Sequence, residues 1–120
     1  MRFSFDAVFY YVSDLERAVS FYCEILGFRL ISKDVVARFD VDGVLFELVP
    51  LAGDVELSGS GNARLCLKVA DIRAAIEHLR RHGVSSTSPE EHDNGVLASF
   101  DDPDGNQICL WQYRHKNGSE

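Results

Sequence analysis

At 120 residues, 46% hydrophobic and 26% charged, the chain has the composition of a folded domain long enough to bury a core, which excludes intrinsic disorder. A net charge of −7 leaves no basic patch for nucleic acid, and no apolar run approaches the ~18 residues of a membrane span, so neither partner is expected. Three cysteines with no close pair, and an opening Met1-Arg2-Phe3-Ser4-Phe5-Asp6 without the apolar core of a signal peptide, point to a reducing, cytoplasmic setting.

Residues 5–12 are rich in aromatic and β-branched side chains and read as a strand, with Ala7, Phe9 and Tyr11 on one face and Val8, Tyr10 and Val12 on the other. Ser13 and Asp14 offer cap oxygens, and Ser13-x-x-Glu16 has the form of a capping box. Leu15, Ala18, Val19, Tyr22 and Leu26 then fall on one helical stripe that stops at Gly27. Strands follow at 28–33, 35–41 and 44–50, the last two joined by Asp42-Gly43, a strong hairpin signal. Residues 52–62 are small and polar and read as a connector. A strand at 63–69 leads into a helix at 71–82 with Ile72, Ala75, Ile76 and Leu79 inward and Gly83 as its cap. Residues 84–88 read as a short strand, 90–95 as a polar loop and 96–101 as a strand. A turn at Asp102-Pro103-Asp104-Gly105-Asn106, a last strand at 107–113 and a frayed end at 114–120 complete the chain.

The order strand, helix, three strands thus occurs twice, and a motif repeats with it. Val12-Ser13-Asp14-Leu15-Glu16-Arg17-Ala18-Val19 returns, loosened, as Val69-Ala70-Asp71-Ile72-Arg73-Ala74-Ala75-Ile76. One domain over 1–120 is expected, with module one at about 5–51, a connector at 52–62 and module two at about 63–113, and a cleft at the seam. Together with Phe21-Tyr22, Leu26-Gly27-Phe28 and Asp102-Pro103-Asp104-Gly105-Asn106, all in order across residues 5–113, the motif resembles the vicinal-oxygen-chelate superfamily. That family holds glyoxalases, bleomycin-resistance proteins and extradiol dioxygenases. The resemblance implies an α+β fold of two βαβββ modules whose mixed sheets curl around a central cleft.

Function does not follow from such a fold, only from the residues at its site. Metal-using members hold their ion from four places, which the resemblance puts here at Ala7, Glu47, Arg64 and Cys109. Ala7 has no donor, Arg64 is permanently cationic, and one carboxylate with one thiol makes a poor divalent site. The expectation is therefore no metal, no cofactor and no assigned catalytic residue. His78 and His82, four apart with Arg80 and Arg81 between them, read as a solvated helix face rather than a zinc pair, and His92 and His115 have no evident partner.

On the register that the resemblance implies, the cleft face carries Ala7, Phe9 and Tyr11; Leu45, Glu47 and Val49; Arg64, Cys66 and Lys68; and Gln107, Cys109, Trp111 and Tyr113. The candidate ligand-binding residues are Phe9, Tyr11, Glu47, Arg64, Cys66, Cys109, Trp111 and Tyr113. The four aromatics suit a planar ligand, and the Arg64 fork suits a carboxylate or phosphate. Competing roles stand beside these: the aromatics fill a collapsed core, Glu47 pairs with Arg64, Lys68 reaches solvent, and the thiols pack without reacting. The leading expectation is a metal-free small-molecule-binding protein of the bleomycin-resistance type, sequestering a drug or metabolite as a homodimer. The alternatives are a metal-dependent lyase or dioxygenase with Glu47 as its base, and a structural subunit with a filled cavity.

Overall fold

Each half of the chain runs strand, helix, three strands. The computed structural model describes residues 1–2, 4–51 and 64–114, in two compact units, 1–58 and 59–120. Unit one contains β1 (Val8–Val12), α1 (Leu15–Ser20), a π-helical continuation (Phe21–Ile25), β2 (Arg29–Lys33), β3 (Ala37–Val41) and β4 (Val44–Pro50). Its sheet has the order β1-β4-β3-β2, with β1 parallel to β4 and the other neighbours antiparallel. Asp42 and Gly43 both have positive φ, 54° and 86°, as the tight β3–β4 hairpin demands. That turn sets the register from Val41↔Val44 through Arg38↔Glu47 to Ala37↔Leu48. A parallel pair cannot be closed by a hairpin, so β1 reaches β4 only after α1 and the β2–β3 excursion.

The core of unit one lies between α1 and one sheet face. Val12, Ala37, Phe39, Phe46 and Leu48 are buried there beneath Ala18, Phe21 and Tyr22. Tyr22 is the hub, its ring 5.1 Å from Phe46, 5.6 Å from Phe28 and 6.2 Å from Phe39. Asp14, not Ser13, caps α1, its Oδ1 accepting from the Arg17 N–H at 3.1 Å. The Glu16 carboxylate of the Ser13-x-x-Glu16 motif pairs with Lys33 of β2. After Ser20 the Leu26 N–H donates to the Phe21 carbonyl, five residues back. The wider turn breaks the 3.6-residue period, which brings Phe21 to the buried side beside Tyr22 and leaves Val19 and Leu26 only half-buried.

Unit two contains β5 (Leu65–Lys68), α2 (Ile72–Arg81), β6 (Glu90–His92), β7 (Gly95–Asp101) and β8 (Gln107–Tyr113). The sheet order is β5-β8-β7-β6, with β5 parallel to β8. Asp71 Oδ1 caps α2 by accepting from the N–H groups of Arg73 and Ala74, each at 3.1 Å. Ile72 and Leu79 of α2 are buried, as are Val96, Ala98, Phe100, Ile108 and Leu110 of the sheet. The Asp102-Pro103-Asp104-Gly105-Asn106 turn is organised by the buried Asp102. Its Oδ1 accepts from the N–H groups of Asp104 and Asn106 at 2.9 and 2.8 Å, and its Oδ2 from Asn106 Nδ2 at 2.8 Å.

The second strand of unit two is not where the sequence predicts it. Residues 84–88 contribute a single bridge, Ser86↔Phe100, and β6 falls inside the segment that reads as a polar loop. β6 is an edge strand with all three residues exposed, so it has no buried face to print an apolar alternation. The connector at 52–62 and the end beyond residue 114 lie outside the described residues. No helix among the described residues is long and apolar enough to cross a membrane.

Gly95 opens β7 where the indole of Trp111 crosses from β8. A Cβ there would sit 2.3 Å from the Gln112 carbonyl oxygen and 2.6 Å from Trp111 Cζ2, and a backbone oxygen cannot swing away. Gly95→Ala is expected to destabilise the fold by about 1–3 kcal/mol and to shift the Trp111 emission maximum. Urea unfolding followed by tryptophan fluorescence checks both, and an unchanged midpoint and spectrum would show that the strands separate freely.

Candidate functional site

The period-two alternation of β1 sends Val12 into the core and Phe9 and Tyr11 to the face turned away from α1, where each remains 47% exposed. Their rings meet edge to face at 5.3 Å and 84°. β1–β4 register sets Phe9 opposite Glu47 and Tyr11 opposite Val49, so three of the predicted site residues, Phe9, Tyr11 and Glu47, share one sheet face. Ala7 precedes β1 and is half-buried.

A cation beside Glu47 is Arg38 of the facing strand. Arg38 Nε lies 3.3 Å from Glu47 Oε2, and its Nη1 lies 3.7 Å from Asp34 Oδ1. Arg38 stands directly opposite Glu47 on β3, so the hairpin register alone builds the pair. The Asp34 carboxyl is held below the usual range, mostly by the Val36 N–H and further by Arg38. Glu47 is the less exposed carboxylate, its side chain 22% exposed.

In unit two the face turned away from α2 carries Cys66 and Lys68 of β5 with Cys109, Trp111 and Tyr113 of β8. Cys66 is paired with Cys109, and Lys68 with Trp111. Trp111 and Tyr113 meet edge to face at 5.9 Å and 88°, and Tyr113 is exposed. Arg64 lies one residue before β5 and is exposed. Burial pushes the Cys66 thiol up and the neighbouring Cys109 adds to the effect, so Cys66 is largely protonated at neutral pH and a weak nucleophile. All three cysteines are free.

Two residues that the sequence leaves without a role join this face. His92 of β6 has its Nε2 2.9 Å from Glu90 Oε1 and its ring 6.1 Å from that of Trp111, so it has partners after all. Gly95 admits the indole, as described above. By contrast, His78 and His82 lie on the exposed side of α2, and His82 Nδ1 is engaged by the His78 carbonyl at 2.9 Å. A separate hollow of about 410 Å³ at the start of α2 is lined by Asp71, Arg73, Glu91, Gln112 and Arg114 among others. Its polar groups satisfy one another: Ile72 N–H donates to Gln112 Oε1 at 2.7 Å and Arg114 pairs with Glu91 at 2.6 Å.

The donor set that the resemblance puts in line for a divalent metal does not fit one. Ala7 is a methyl group, Glu47 is engaged by Arg38, Arg64 is a guanidinium, and only the Cys109 thiol remains. Among the described residues no three histidine, cysteine or acidic side chains gather where they could hold a metal ion.

Comparison with known proteins agrees with the fold. The family model of the Glyoxalase/Bleomycin resistance protein/Dioxygenase superfamily matches residues 4–110. A probable lactoylglutathione lyase of Synechocystis is 30% identical, the match covering 88% of this chain and 92% of the relative. The lactoylglutathione lyase of Neisseria meningitidis is 32% identical over 90% of this chain and 89% of its own. TnmS3, an antibiotic binding protein from Streptomyces, superposes with a TM-score of 0.70 at 29% identity, covering 95% of this chain and 99% of that one. The fosfomycin resistance protein FosX of Mesorhizobium loti shares the fold with a TM-score of 0.75 at 16% identity, covering 95% of each chain. On its family match, its paired βαβββ units and its α+β sheets, the chain belongs to the glyoxalase/bleomycin resistance protein/dioxygenase superfamily.

Proposed function

We propose that this protein binds small planar ligands on the helix-averted faces of its sheets and does so without a divalent metal. One observation carries the reading: the Phe9–Tyr11 and Trp111–Tyr113 edge-to-face pairs stand on those faces instead of in the cores. Large rings kept partly in water are unfavourable for folding alone and favourable for stacking a ligand. The Arg38–Glu47 pair supplies a fixed charged group beside Phe9, suited to orienting a polar substituent. The unsuitable donor set supports the metal-free part of the reading, and the 29% identity to TnmS3, named as an antibiotic binding protein, supports a drug-like ligand. The three free thiols suit a cytoplasmic protein. Exposed Leu30 and Ile31 on edge strand β2 suit a homodimer.

Titration of chelator-treated protein with planar aromatic drugs is expected to quench Trp111 saturably, with Tyr113→Ala weakening binding about tenfold, the worth of one ring contact of ~1.4 kcal/mol. Silence across planar aromatics and cationic glycopeptides would overturn the proposal.

A second reading, a metal-dependent lyase with Glu47 as base, is favoured by the name lactoylglutathione lyase on relatives at 30–32% identity. The donor chemistry opposes it. Protein supplied with nickel, zinc, manganese or iron is expected to show no lactoylglutathione lyase activity, assayed in the direction that forms the thioester, above the free ion. Stoichiometric metal binding with turnover lost in Glu47→Ala would replace the first reading with the second.

A further inference from the structure

Cys66 and Cys109 are directly opposed on neighbouring parallel strands. Alternation turns Leu65 and Leu67 of β5, and the buried Ile108 and Leu110 of β8, to the other side, so both thiols project from the face averted from α2. Same-face neighbours on adjacent strands are about one strand spacing apart, ~4.8 Å. A disulfide prefers Cβ atoms near ~3.8 Å, so bridging would draw the strands together. A thiolate–metal–thiolate unit holds its sulfurs two metal–sulfur bonds apart, well beyond the ~2.05 Å of a disulfide, and so asks less movement of the ladder.

We propose that Cys66 and Cys109 form a two-coordinate site for a soft monovalent metal ion of the copper(I) class. This site shares Cys109 with the four-position divalent set but takes its second donor from Cys66, which is not among those positions, and it does not depend on the planar-ligand reading. Among the described residues no third histidine, cysteine or acidic side chain gathers with the pair, which suits an ion satisfied by two ligands. Thiolates select soft ions over magnesium, calcium or manganese. On uptake the two S–H bonds release their protons to solvent, two metal–sulfur bonds form, and the ion keeps its oxidation state. The resulting bis-thiolate complex carries a single net negative charge, and Lys68, the next residue on the same face of β5, places a cation beside it. Trp111, next on that face of β8, reports on the site.

The test titrates the reduced full-length protein, without oxygen, with copper(I) held by a chromophoric chelator, reading chelator release and Trp111 emission. One equivalent is expected, with Trp111 quenched. Cys66→Ser and Cys109→Ser should each lower affinity by about 100-fold or more, as half the donors are lost, while Cys23→Ser binds as the parent does. Maleimide labelling of the unsubstituted protein gives an independent reading that needs no variant to fold: copper(I) should protect Cys66 and Cys109 but not Cys23. No uptake, uptake that survives either serine substitution, or protection that includes Cys23 or spares one of the pair would overturn the proposal.

Discussion

The packing of one helix on one face of a four-stranded sheet governs everything else in each unit. A strand has only two faces, and the helix claims one. In unit one that face is filled by Phe39, Phe46 and Leu48 under Tyr22; in unit two by Phe100, Ile108 and Leu110 under Leu79. Each such side chain contributes about 1.5–3 kcal/mol when fully buried, so the assignment of faces is strongly enforced, and a one-residue slip in register would invert it. The residues left over are set on the opposite face by the alternation, and Phe9, Tyr11 and Tyr113 among them stay exposed.

Where a residue type dictates a backbone state, the sequence is a reliable guide. Asp42-Gly43 implies a two-residue hairpin, and both φ angles are positive. Asp14 and Asp71 begin helices as cap acceptors, and Gly27 and Gly83 end them in the left-handed region. The alternation of β4 and β8 assigns their faces correctly. The failures share a cause as well. β6 has no buried face, so its three exposed residues carry no pattern. The π-turn at Phe21 buries two adjacent aromatics, Phe21 and Tyr22, and no helical stripe encodes it.

The candidate site shows the same division. Phe9, Tyr11, Glu47, Cys66, Cys109, Trp111 and Tyr113 fall on helix-averted faces because alternation alone decides that. The partner of Glu47 was also within reach of the sequence: counting outward from Asp42-Gly43 pairs residue 41 with 44 and so 38 with 47. A hairpin register thus predicts an ion pair that the family's ligand positions, which direct attention to Arg64, do not. The contact between Trp111 and Gly95 is less accessible, since it depends on the path of a ring across a strand. The capping and turn residues keep the architecture shared with the family, while the positions that the resemblance puts in line for ligands carry a methyl, a paired carboxylate, a guanidinium and a thiol.

The central claim, that the averted faces are displayed and not structural, is tested most directly by an alternating alanine scan read by urea denaturation with circular dichroism. Leu48→Ala, Ile108→Ala and Leu110→Ala are expected to cost about 2–5 kcal/mol each, whereas Phe9→Ala, Tyr11→Ala and Tyr113→Ala stay within about 1 kcal/mol of the parent. Averted-face substitutions that cost as much as their core neighbours would contradict the account, because those rings would then be holding the fold together.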